Sequence, residues 1–439
     1  MKKKILLSSI LTIIICLCLI AGSTFALFTS TSDVNIAVTA GKVEMTANIV
    51  DLQLYSVEAN TNGTVIDENG NAYEYKPVSQ FINGGTATVD GSVLTVDKIT
   101  PGDKFDFTVT GTNTSDVAIQ YRYIIECLDG YKLMSGLVVT INGTEYESLA
   151  SYTSAYSALA VEQDIAPINV TVELPVTAGN EYQAQTTSIR VVVEAVQGNA
   201  VVADNTEPVV VSIPAVSTPD DLKAALANAD IPAVNVLEDM AVEVGDIANK
   251  TIYANGNDVR FTFTGTVDDV TVDGVVAKVG GNSFNLKAAT GTLAVVNSKL
   301  LSAGSTSGAA FAPGPNASLV IDNCAVSSAV TGKAYGIYNS GASGSLTVTN
   351  CTFEGFGSWA IQVNSKVNGS VLVDNCTFNT PDGVLKVLSG VEGDFTFTNN
   401  TMIGCKGHDG KANQIISVSC TGTATVTGNT LDGAAWTQE

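Results

Sequence analysis

A short phrase recurs through the C-terminal half of the chain at a nearly constant interval. Each copy consists of alternating apolar residues followed by an asparagine, and the asparagines are separated by 26, 27, 25 and 24 residues. They are Asn297, Asn323, Asn350, Asn375 and Asn399. A constant period of this size is typical of a solenoid, in which each repeat buries its apolar face only against its neighbours. Because the alternation has a period of two, each repeat is predicted to be one turn of a right-handed parallel β-helix.

A second apolar run lies about midway between consecutive phrases, for example at residues 360–363 and 384–387. Two strands per turn would then wrap a narrow core. The asparagines at the bend are expected to form a ladder, because each carboxamide can both donate to and accept from its neighbour. The next residue is Cys324, Cys351 or Cys376 in three of the turns. We expect these thiols to pack inward, buried and free, because the flanking turns carry other residues there.

The β-helix is predicted to begin with a capping helix. Thr218 and Pro219 precede two acidic residues and an apolar pattern of helical spacing, which is a typical helix N-terminus. Such a helix would close the open end of the core, so residues 217–439 are assigned to the β-helix. This cap, the phrase at 252–256 and the later Asn-Cys-Thr-Phe phrases resemble bacterial right-handed β-helix proteins. That resemblance implies a fold and leaves the activity open.

The N-terminus has the features of an export signal. Three lysines at 2–4 precede an apolar run over 5–20, and small residues at 24–26 suit cleavage after position 26. A membrane anchor is the alternative, but the run is short and no basic cluster follows it. We therefore predict a signal peptide over 1–26 and a secreted protein. Its removal would leave 18 basic against 43 acidic residues, a net charge of −25, which argues against a nucleic-acid partner.

Residues 27–198 are predicted to form a jelly-roll-like β-sandwich. Several segments alternate between apolar and polar residues, and a hairpin signal lies at 141–144. The alternating segments are 105–109, 121–127, 168–174 and 189–195. Residues 199–216 contain two prolines and are predicted to be an extended linker.

Five phrases of this first domain occur in the order found in the TasA/camelysin family. They are residues 22–28, 39–45, 99–104, 113–119 and 188–195. The resemblance implies export from a Gram-positive bacterium, processing by a dedicated signal peptidase and a role in biofilm fibres.

The same resemblance implies that an N-terminal strand is donated to the next subunit. The corresponding segment is 27–40, where Val34, Ile36 and Val38 alternate with smaller or polar residues. Self-assembly would follow from such a donation. The alternative is an ordinary first strand that pairs with its own sheet.

Residues suited to catalysis are scarce. The chain has a single histidine, His408, so a zinc site built on two histidines is excluded, and no metal or cofactor is predicted. Asp322 and Asp374 occupy equivalent positions two turns apart, which places them about 9–10 Å apart by strand spacing. That separation suits an inverting glycoside hydrolase. The simpler interpretation is that both carboxylates face solvent before a bend.

Exposed aromatic residues are candidates for stacking against sugar rings. Tyr335, Tyr338 and Trp359 lie beside the second apolar run, and a loop would present Trp359. Packing in the core is the alternative for the tryptophan. We therefore predict an all-β protein of the extracellular matrix or cell surface whose β-helix contacts glycans or other matrix or host-surface partners. The alternative function is a polysaccharide lyase or hydrolase. A disulfide between Cys405 and Cys420 also stays open, because spacing alone does not decide pairing.

Overall fold

The computed structural model describes residues 43–59, 65–66, 70–179, 182, 185–200, 207–281, 283–286, 290–302, 309–312, 316–328, 334–339 and 341–438. The predicted signal peptide and the predicted assembly strand lie outside these residues. Within them the protein is all-β, as the sequence predicts, with two α-helices, Tyr131–Met134 (α1) and Pro219–Ala227 (α2).

The N-terminal part is a β-sandwich of antiparallel sheets. Its strands are Met45–Ala59 (β1), Val65–Ile66 (β2), Ala72–Val78 (β3), Thr86–Asp90 (β4), Val93–Asp97 (β5), Asp103–Asn113 (β6), Ile119–Asp129 (β7), Val138–Ile141 (β8), Thr144–Glu147 (β9), Leu149–Thr153 (β10), Ser157–Leu159 (β11), Ile168–Glu173 (β12), Thr186–Gln197 (β13) and Val209–Ser212 (β14). One sheet has the order β2-β3-β1-β6-β12-β8-β9, and the other has the order β14-β10-β7-β13-β5-β4 with β11 against β7. Every second residue of β6 is buried, which makes its inner face part of the core.

Part of the segment predicted to be a linker is strand. β14 pairs with β10 at the edge of the second sandwich sheet, and Ala215–Val216 (β15) pairs with the first strand of the solenoid. The prediction of an extended linker throughout 199–216 is therefore corrected for these residues. The physical reason is that a run of β-branched valines has a strong strand preference and finds an open sheet edge beside it.

The C-terminal part is a parallel β-helix with three sheets. Sheet I consists of β15, Ala233–Val236 (β16), Ile247–Tyr253 (β18), Thr266–Asp273 (β20), Thr290–Val296 (β22), Ala317–Asp322 (β25), Leu346–Thr349 (β28), Val371–Asp374 (β31), Phe395–Thr398 (β34) and Ala424–Thr427 (β37). Sheet II consists of Met240–Val244 (β17), Val259–Phe263 (β19), Phe284–Asn285 (β21), Ala309–Ala312 (β24), Tyr335–Asn339 (β27), Ile361–Val363 (β30), Leu385–Val387 (β33) and Ile416–Ser417 (β36).

Sheet III follows the asparagine bend and was not anticipated from the sequence. It consists of Lys299–Ser302 (β23), Ala325–Ser328 (β26), Thr352–Glu354 (β29), Thr377–Asn379 (β32), Thr401–Ile403 (β35), Asn429–Leu431 (β38) and Ala434–Trp436 (β39). Most of these strands have only three or four residues, which is too short for alternation to reveal them. Two strands per turn were predicted, and later turns have three.

The predicted capping helix is confirmed as α2. The hydroxyl of Thr218 accepts a hydrogen bond of 3.2 Å from the backbone N–H of Asp221 at the N-terminus of the helix. Leu222 and Leu226 point into the solenoid core and are almost fully buried. At the other end, the Lys250 ammonium donates to the carbonyl of Asn228 at 2.6 Å and so satisfies a terminal acceptor. The helix therefore closes the apolar interior from solvent.

The repeated asparagine forms the bend between sheets I and III. Asn297, Asn323, Asn350, Asn375 and Asn399 have φ values of 51, 50, 55, 52 and 55°. Asparagine tolerates this left-handed conformation better than most residues with a side chain. Nδ2 of Asn323 donates to Oδ1 of Asn297, and Nδ2 of Asn375 donates to Oδ1 of Asn350, both at 2.7 Å.

The residue after each bend points inward and accepts a backbone hydrogen bond from the preceding turn. The N–H of Cys324 donates to Sγ of Cys351 at 3.4 Å, and the N–H of Cys376 donates to Oδ1 of Asn400 at 2.9 Å. The N–H of Asn400 in turn donates to Oδ1 of Asn429 at 2.9 Å. The three thiols are at most 3% exposed. A hydrogen bond with the sulfur of Cys351 raises the pKa of both Cys324 and Cys376, and the burial of these two thiols raises it further.

All six cysteines that the structure describes are free thiols, so Cys405 and Cys420 are not bonded to each other. Burial raises the pKa of Cys405. In the sandwich, burial raises the pKa of Cys127 to about 12. Thiols in such surroundings stay protonated at neutral pH and react slowly.

Candidate functional site

The outer face of sheet II carries a row of polar side chains at matching positions of consecutive turns. Tyr338 pairs with Gln362, Gln362 with Lys386, and Lys386 with Ser417 in the strand register. Matching positions in neighbouring strands are about 4.8 Å apart, so the row runs along the solenoid axis. We call Tyr338, Gln362, Lys386 and Ser417 the polar row.

Sequence reasoning missed Gln362, Lys386 and Ser417 as parts of one surface. The runs at 360–363 and 384–387 are predicted to be apolar strands, although each has a polar residue flanked by apolar ones. That alternation directs the polar side chain to the outer face of the strand. Lys386 is half-buried there, whereas Gln362 is only 8% exposed and donates to Asn364. The register between turns, which aligns these residues, becomes visible only in the structure.

One end of the polar row is aromatic. The rings of Tyr335 and Tyr338 have their centroids 4.9 Å apart with 32° between their planes, and both residues are partly exposed. Nδ2 of Asn364 donates to the hydroxyl of Tyr338 at 2.8 Å, and Oδ1 of Asn364 accepts from Nε2 of Gln362. The Tyr338 oxygen therefore serves as an acceptor within the protein. No acceptor for the proton of this hydroxyl lies among the residues that the structure describes.

Trp359 lies beneath this face and is only 2% exposed. Its indole packs against Gly383 of the next turn, where a Cβ would fall 2.4 Å from Cε3. The centroids of the Trp359 and His408 rings are 5.2 Å apart, and Nζ of Lys386 is 5.7 Å from the centroid of the indole. Because the missing side chain of Gly383 admits the indole under the next turn, the expectation of an indole presented on a loop is corrected. Nε1 of Trp359 has no hydrogen-bond partner in the part of the chain that the structure describes.

A histidine–carboxylate pair borders the same face. Nδ1 of His408 and Oδ1 of Asp382 are 3.0 Å apart, and the two side chains are 25% and 18% exposed. Such a contact fixes the orientation of an imidazole ring. The proximity of His408 to Trp359 could not be inferred from the sequence, where the two residues are 49 positions apart.

Asp322 and Asp374 lie on sheet I, away from the strands that carry the polar row. Oδ1 of each carboxylate accepts hydrogen bonds of 2.6–2.9 Å from the threonine and the asparagine of the following turn. These donors are Thr349 and Asn350 for Asp322, and Thr398 and Asn399 for Asp374. The two aspartates thus continue the asparagine ladder. The simpler interpretation from the sequence, carboxylates that only face solvent, did not include these hydrogen bonds.

Two features are absent from the residues that the structure describes. No group of three or more His, Cys, Asp or Glu side chains there could hold a metal ion. No helix there is sufficiently long and apolar to span a membrane.

Comparison with known proteins supports the fold of the C-terminal part. Residues 252–435 match the family model described as "Right handed beta helix region". This match covers the turns that carry the polar row and confirms a right-handed β-helix in this part of the chain. A comparison with curated proteins found no match.

Two solved structures are similar to the chain at low identity. The catalytic domain of a GH87 α-1,3-glucanase in complex with tetrasaccharides is 10% identical, with 79% of this chain and 98% of that chain covered and a TM-score of 0.17. The Agl-KA catalytic domain is also 10% identical, with 78% and 96% covered and a TM-score of 0.15. Scores this low carry no argument about activity.

Proposed function

We propose that the protein is a secreted matrix or cell-surface protein whose β-helix binds a glycan chain along the polar row. The observation that carries this proposal is the line of Tyr338, Gln362 and Lys386 on consecutive strands, with the ring of Tyr335 at one end. An extended polymer can follow such a line over several turns. A site on a rigid sheet also needs little rearrangement to bind.

The chemistry of the row suits a sugar. A sugar ring presents hydroxyl groups at its edge and C–H groups on its faces, so it needs both hydrogen-bonding groups and a flat apolar surface. The Tyr338 hydroxyl, the Lys386 ammonium and the Ser417 hydroxyl supply the first, and the two tyrosine rings supply the second. The Asn364 side chain holds Tyr338 and Gln362 together through hydrogen bonds, which limits the entropy that they lose on binding.

Secretion and a matrix role are proposed on the sequence features described above. The apolar N-terminus supports export, and the five phrases shared with the TasA/camelysin family support a place in an extracellular matrix. In this proposal the sandwich anchors or assembles the protein, and the β-helix makes the glycan contacts.

The binding proposal predicts a localised loss of affinity. In affinity electrophoresis, the protein is run through gels that each contain one polysaccharide. We expect at least one polysaccharide to slow its migration, and we call it the retarding glycan. Replacement of Tyr338 by Ala should weaken that retardation about tenfold, because about 1–2 kcal/mol of stacking and hydrogen bonding is removed. Thr347→Ala, on the outer face of sheet I, is the matched control and should leave retardation unchanged. Equal retardation of both variants would reject the polar row as the site.

A polysaccharide-cleaving enzyme is the second candidate, and the Asp382–His408 pair beside the row is the observation that favours it. A histidine held by a carboxylate can act as a general base. The retarding glycans should therefore also be assayed for new reducing ends and unsaturated products. Cleavage that disappears in Asp382→Asn would establish the enzyme, and binding without cleavage would support the adhesive protein.

Self-assembly through residues 27–40 is a separate part of the proposal. Deletion of this segment should abolish polymers while the sandwich keeps its melting temperature, because a donated strand stabilises the partner and not its own domain. Ile36→Asp should have the same effect, since a charge cannot enter a partner's core. Sedimentation velocity and thermal melting test both variants. If deletion greatly lowered the melting temperature of the sandwich, and neither the deletion variant nor the full mature protein formed polymers, the strand would belong to its own sheet.

A further inference from the structure

We propose that a cavity at the junction of the sandwich and the β-helix binds an uncharged N-acetylated sugar. We call it the junction cavity. It shares no residue with the polar row, and the inference does not depend on glycan binding there. Three observations carry it: a line of hydrogen-bonded side chains that ends at the cavity, an amide donor without an acceptor at that end, and a lining rich in oxygen acceptors.

The junction cavity has a volume of about 370 Å³, which lies within the range of small-molecule sites. The sandwich contributes Ser135, Ser148 and Tyr182 to its walls, and the β-helix contributes Ala215, Asn235 and Asn257. The two parts are packed together here, because Ala233 and Tyr253 of the β-helix are buried against the sandwich core. Interfaces between structural units are preferred places for ligands, and packed walls need little rearrangement to bind one.

The cavity lies where a ladder of sheet I ends. Oδ1 of Asn235 accepts a hydrogen bond of 3.3 Å from Nδ2 of Asn255 in the following turn, as Oδ1 of Asp322 accepts from Asn350 further along. On the other side, the strand register pairs Asn235 with Ala215 of β15. Alanine has only a methyl group, so no polar side chain continues the ladder beyond Asn235.

The end of the ladder leaves an amide donor without a partner. Asn235 is only 9% exposed and lines the cavity. Its Oδ1 is used by Asn255, and no acceptor for its Nδ2 lies in the part of the chain that the structure describes. A buried donor without an acceptor is unfavourable, so an acceptor supplied by a ligand would stabilise it.

The remaining polar atoms of the cavity are acceptors. Nδ2 of Asn257 donates to the carbonyl of Val236 at 2.9 Å, which leaves its Oδ1 for a ligand. The hydroxyls of Ser135 and Ser148 donate to the carbonyls of Lys132 and Ser135, both at 2.7 Å, so their oxygens can only accept further hydrogen bonds. Among the described residues that line the cavity, none carries a charge.

This pattern requires a ligand with a strong acceptor, several donors and no charge. An acetamido group supplies a carbonyl for Nδ2 of Asn235, and its N–H and the sugar hydroxyls can donate to the oxygens of the lining. A charged ligand would lose its hydration without gaining an opposite charge. The Tyr182 ring and the side chain of Leu237, which is 51% exposed, offer apolar surface to a sugar face and an acetyl methyl group.

Three uncharged probes test the ligand class with the full-length secreted form of the protein. They are methyl N-acetylglucosaminide, methyl glucoside and N-acetylalanine amide. The glucoside lacks the acetamido group, and the alanine derivative lacks the hydroxyl groups. Dissociation constants are measured by titration followed by NMR. We expect the N-acetylated sugar to bind about tenfold or more tightly than either of the others.

Variants assign the binding to the junction cavity. Asn235→Asp keeps Oδ1 for Asn255, as Asp322 does for its own partner, but lacks the Nδ2 donor, so the affinity for the N-acetylated sugar should fall about tenfold or more. Ala215→Leu should have a similar effect, because the larger side chain enters the cavity. Asp322→Asn, the reverse exchange at the equivalent register position of a later turn, is the matched control and should leave the affinity unchanged.

The outcomes decide the inference without reference to the polar row. Binding of none of the probes, equal binding of the two sugars, or an affinity unchanged in both folded cavity variants would overturn it. Tighter binding of N-acetylalanine amide would assign the cavity to a peptide and would also overturn it. Thermal melts verify that each variant is folded, and the selectivity of the unsubstituted protein among the probes decides the ligand class even if a variant does not fold.

Discussion

Replacement of Cys376 by aspartate should destabilise the β-helix by about 3–5 kcal/mol, because it buries a carboxylate that has no positive partner and faces two carbonyl oxygens. The Cys376 side chain is 1% exposed, and its sulfur is 3.6 Å from the carbonyl oxygen of Val348 and 3.2 Å from that of Asp374. A carboxylate at this position would face two acceptors. The β-helix of this variant should therefore unfold at a much lower denaturant concentration than the β-helix of the unsubstituted protein.

The same position should tolerate asparagine. Asn400 and Asn429 fill the corresponding positions of the next two turns, and their Nδ2 atoms donate to the carbonyls of Val373 and Phe397 at 3.0 and 2.9 Å. In Cys376→Asn the amide can donate to the carbonyl of Val348 in the same way. We expect a loss below about 1.5 kcal/mol, from the small increase in side-chain volume.

Alanine at position 376 should be intermediate, with a loss of about 2 kcal/mol. The sulfur of Cys376 accepts a hydrogen bond from the backbone N–H of Cys351, and alanine would leave that donor buried and unpaired. Chemical denaturation monitored by far-UV circular dichroism should show that the free energy of unfolding decreases in the order asparagine, alanine, aspartate at position 376. If the aspartate variant were as stable as the alanine variant, the side chain at position 376 would not be buried against hydrogen-bond acceptors.

The aspartate variant should also gain stability as the pH falls. Burial disfavours the charged form and so raises the folded-state pKa of the new carboxyl above its unfolded value. The protonated acid is then favoured in the folded protein, and stability increases as pH decreases through that raised pKa. The asparagine variant cannot titrate at this position and is the control for the pH series.

The sequence pattern sufficed for the solenoid because its period is a direct consequence of stacking. Positions that repeat every turn, such as Asn350 and Asn375, must meet their equivalents in the next turn, so their contacts follow from the spacing alone. The cap at Thr218 was likewise predictable because a helix N-terminus is a local signal. Sheet III was missed because strands as short as Thr377–Asn379 carry almost no periodicity.

The candidate site was harder to predict because it depends on contacts between different parts of each turn. Gln362 and Lys386 align only when the register of sheet II is known. His408 approaches Trp359 across 49 residues, and strands of all three sheets lie between them in the chain. A buried and an exposed Trp359 could not be distinguished from the sequence, because the register that brings Gly383 of the next turn against the indole is visible only in the structure.

The contact between Trp359 and Gly383 leads to the second large expected effect. Gly383 has no positive φ that would itself require glycine, so the cost of a side chain there is steric. An added Cβ would be 2.4 Å from the indole and would force the ring or the strand to move. We expect Gly383→Ala to destabilise the solenoid by about 1–3 kcal/mol, as overpacking does in other cores.

Trp359→Ala should cost about 3–5 kcal/mol, because it opens a cavity beneath sheet II. The double variant should cost less than the sum of the two, since the new methyl group then enters the space that the indole has left. A double-mutant cycle measured by chemical denaturation gives this coupling directly, and we expect about 1 kcal/mol or more. Gly341→Ala, at a position where the nearest atom to an added Cβ is 3.9 Å away, is the matched glycine control and should change stability little.

The same variants connect packing with ligand binding. Because the indole lies beneath the polar row and contacts Lys386, Trp359→Ala should weaken binding of the retarding glycan even at temperatures where the protein remains folded, and Trp359→Phe should retain more of it. Additive losses of stability in the cycle would show that Trp359 and Gly383 are not in direct contact. An unchanged affinity in folded Trp359→Ala would show that the indole supports the fold alone.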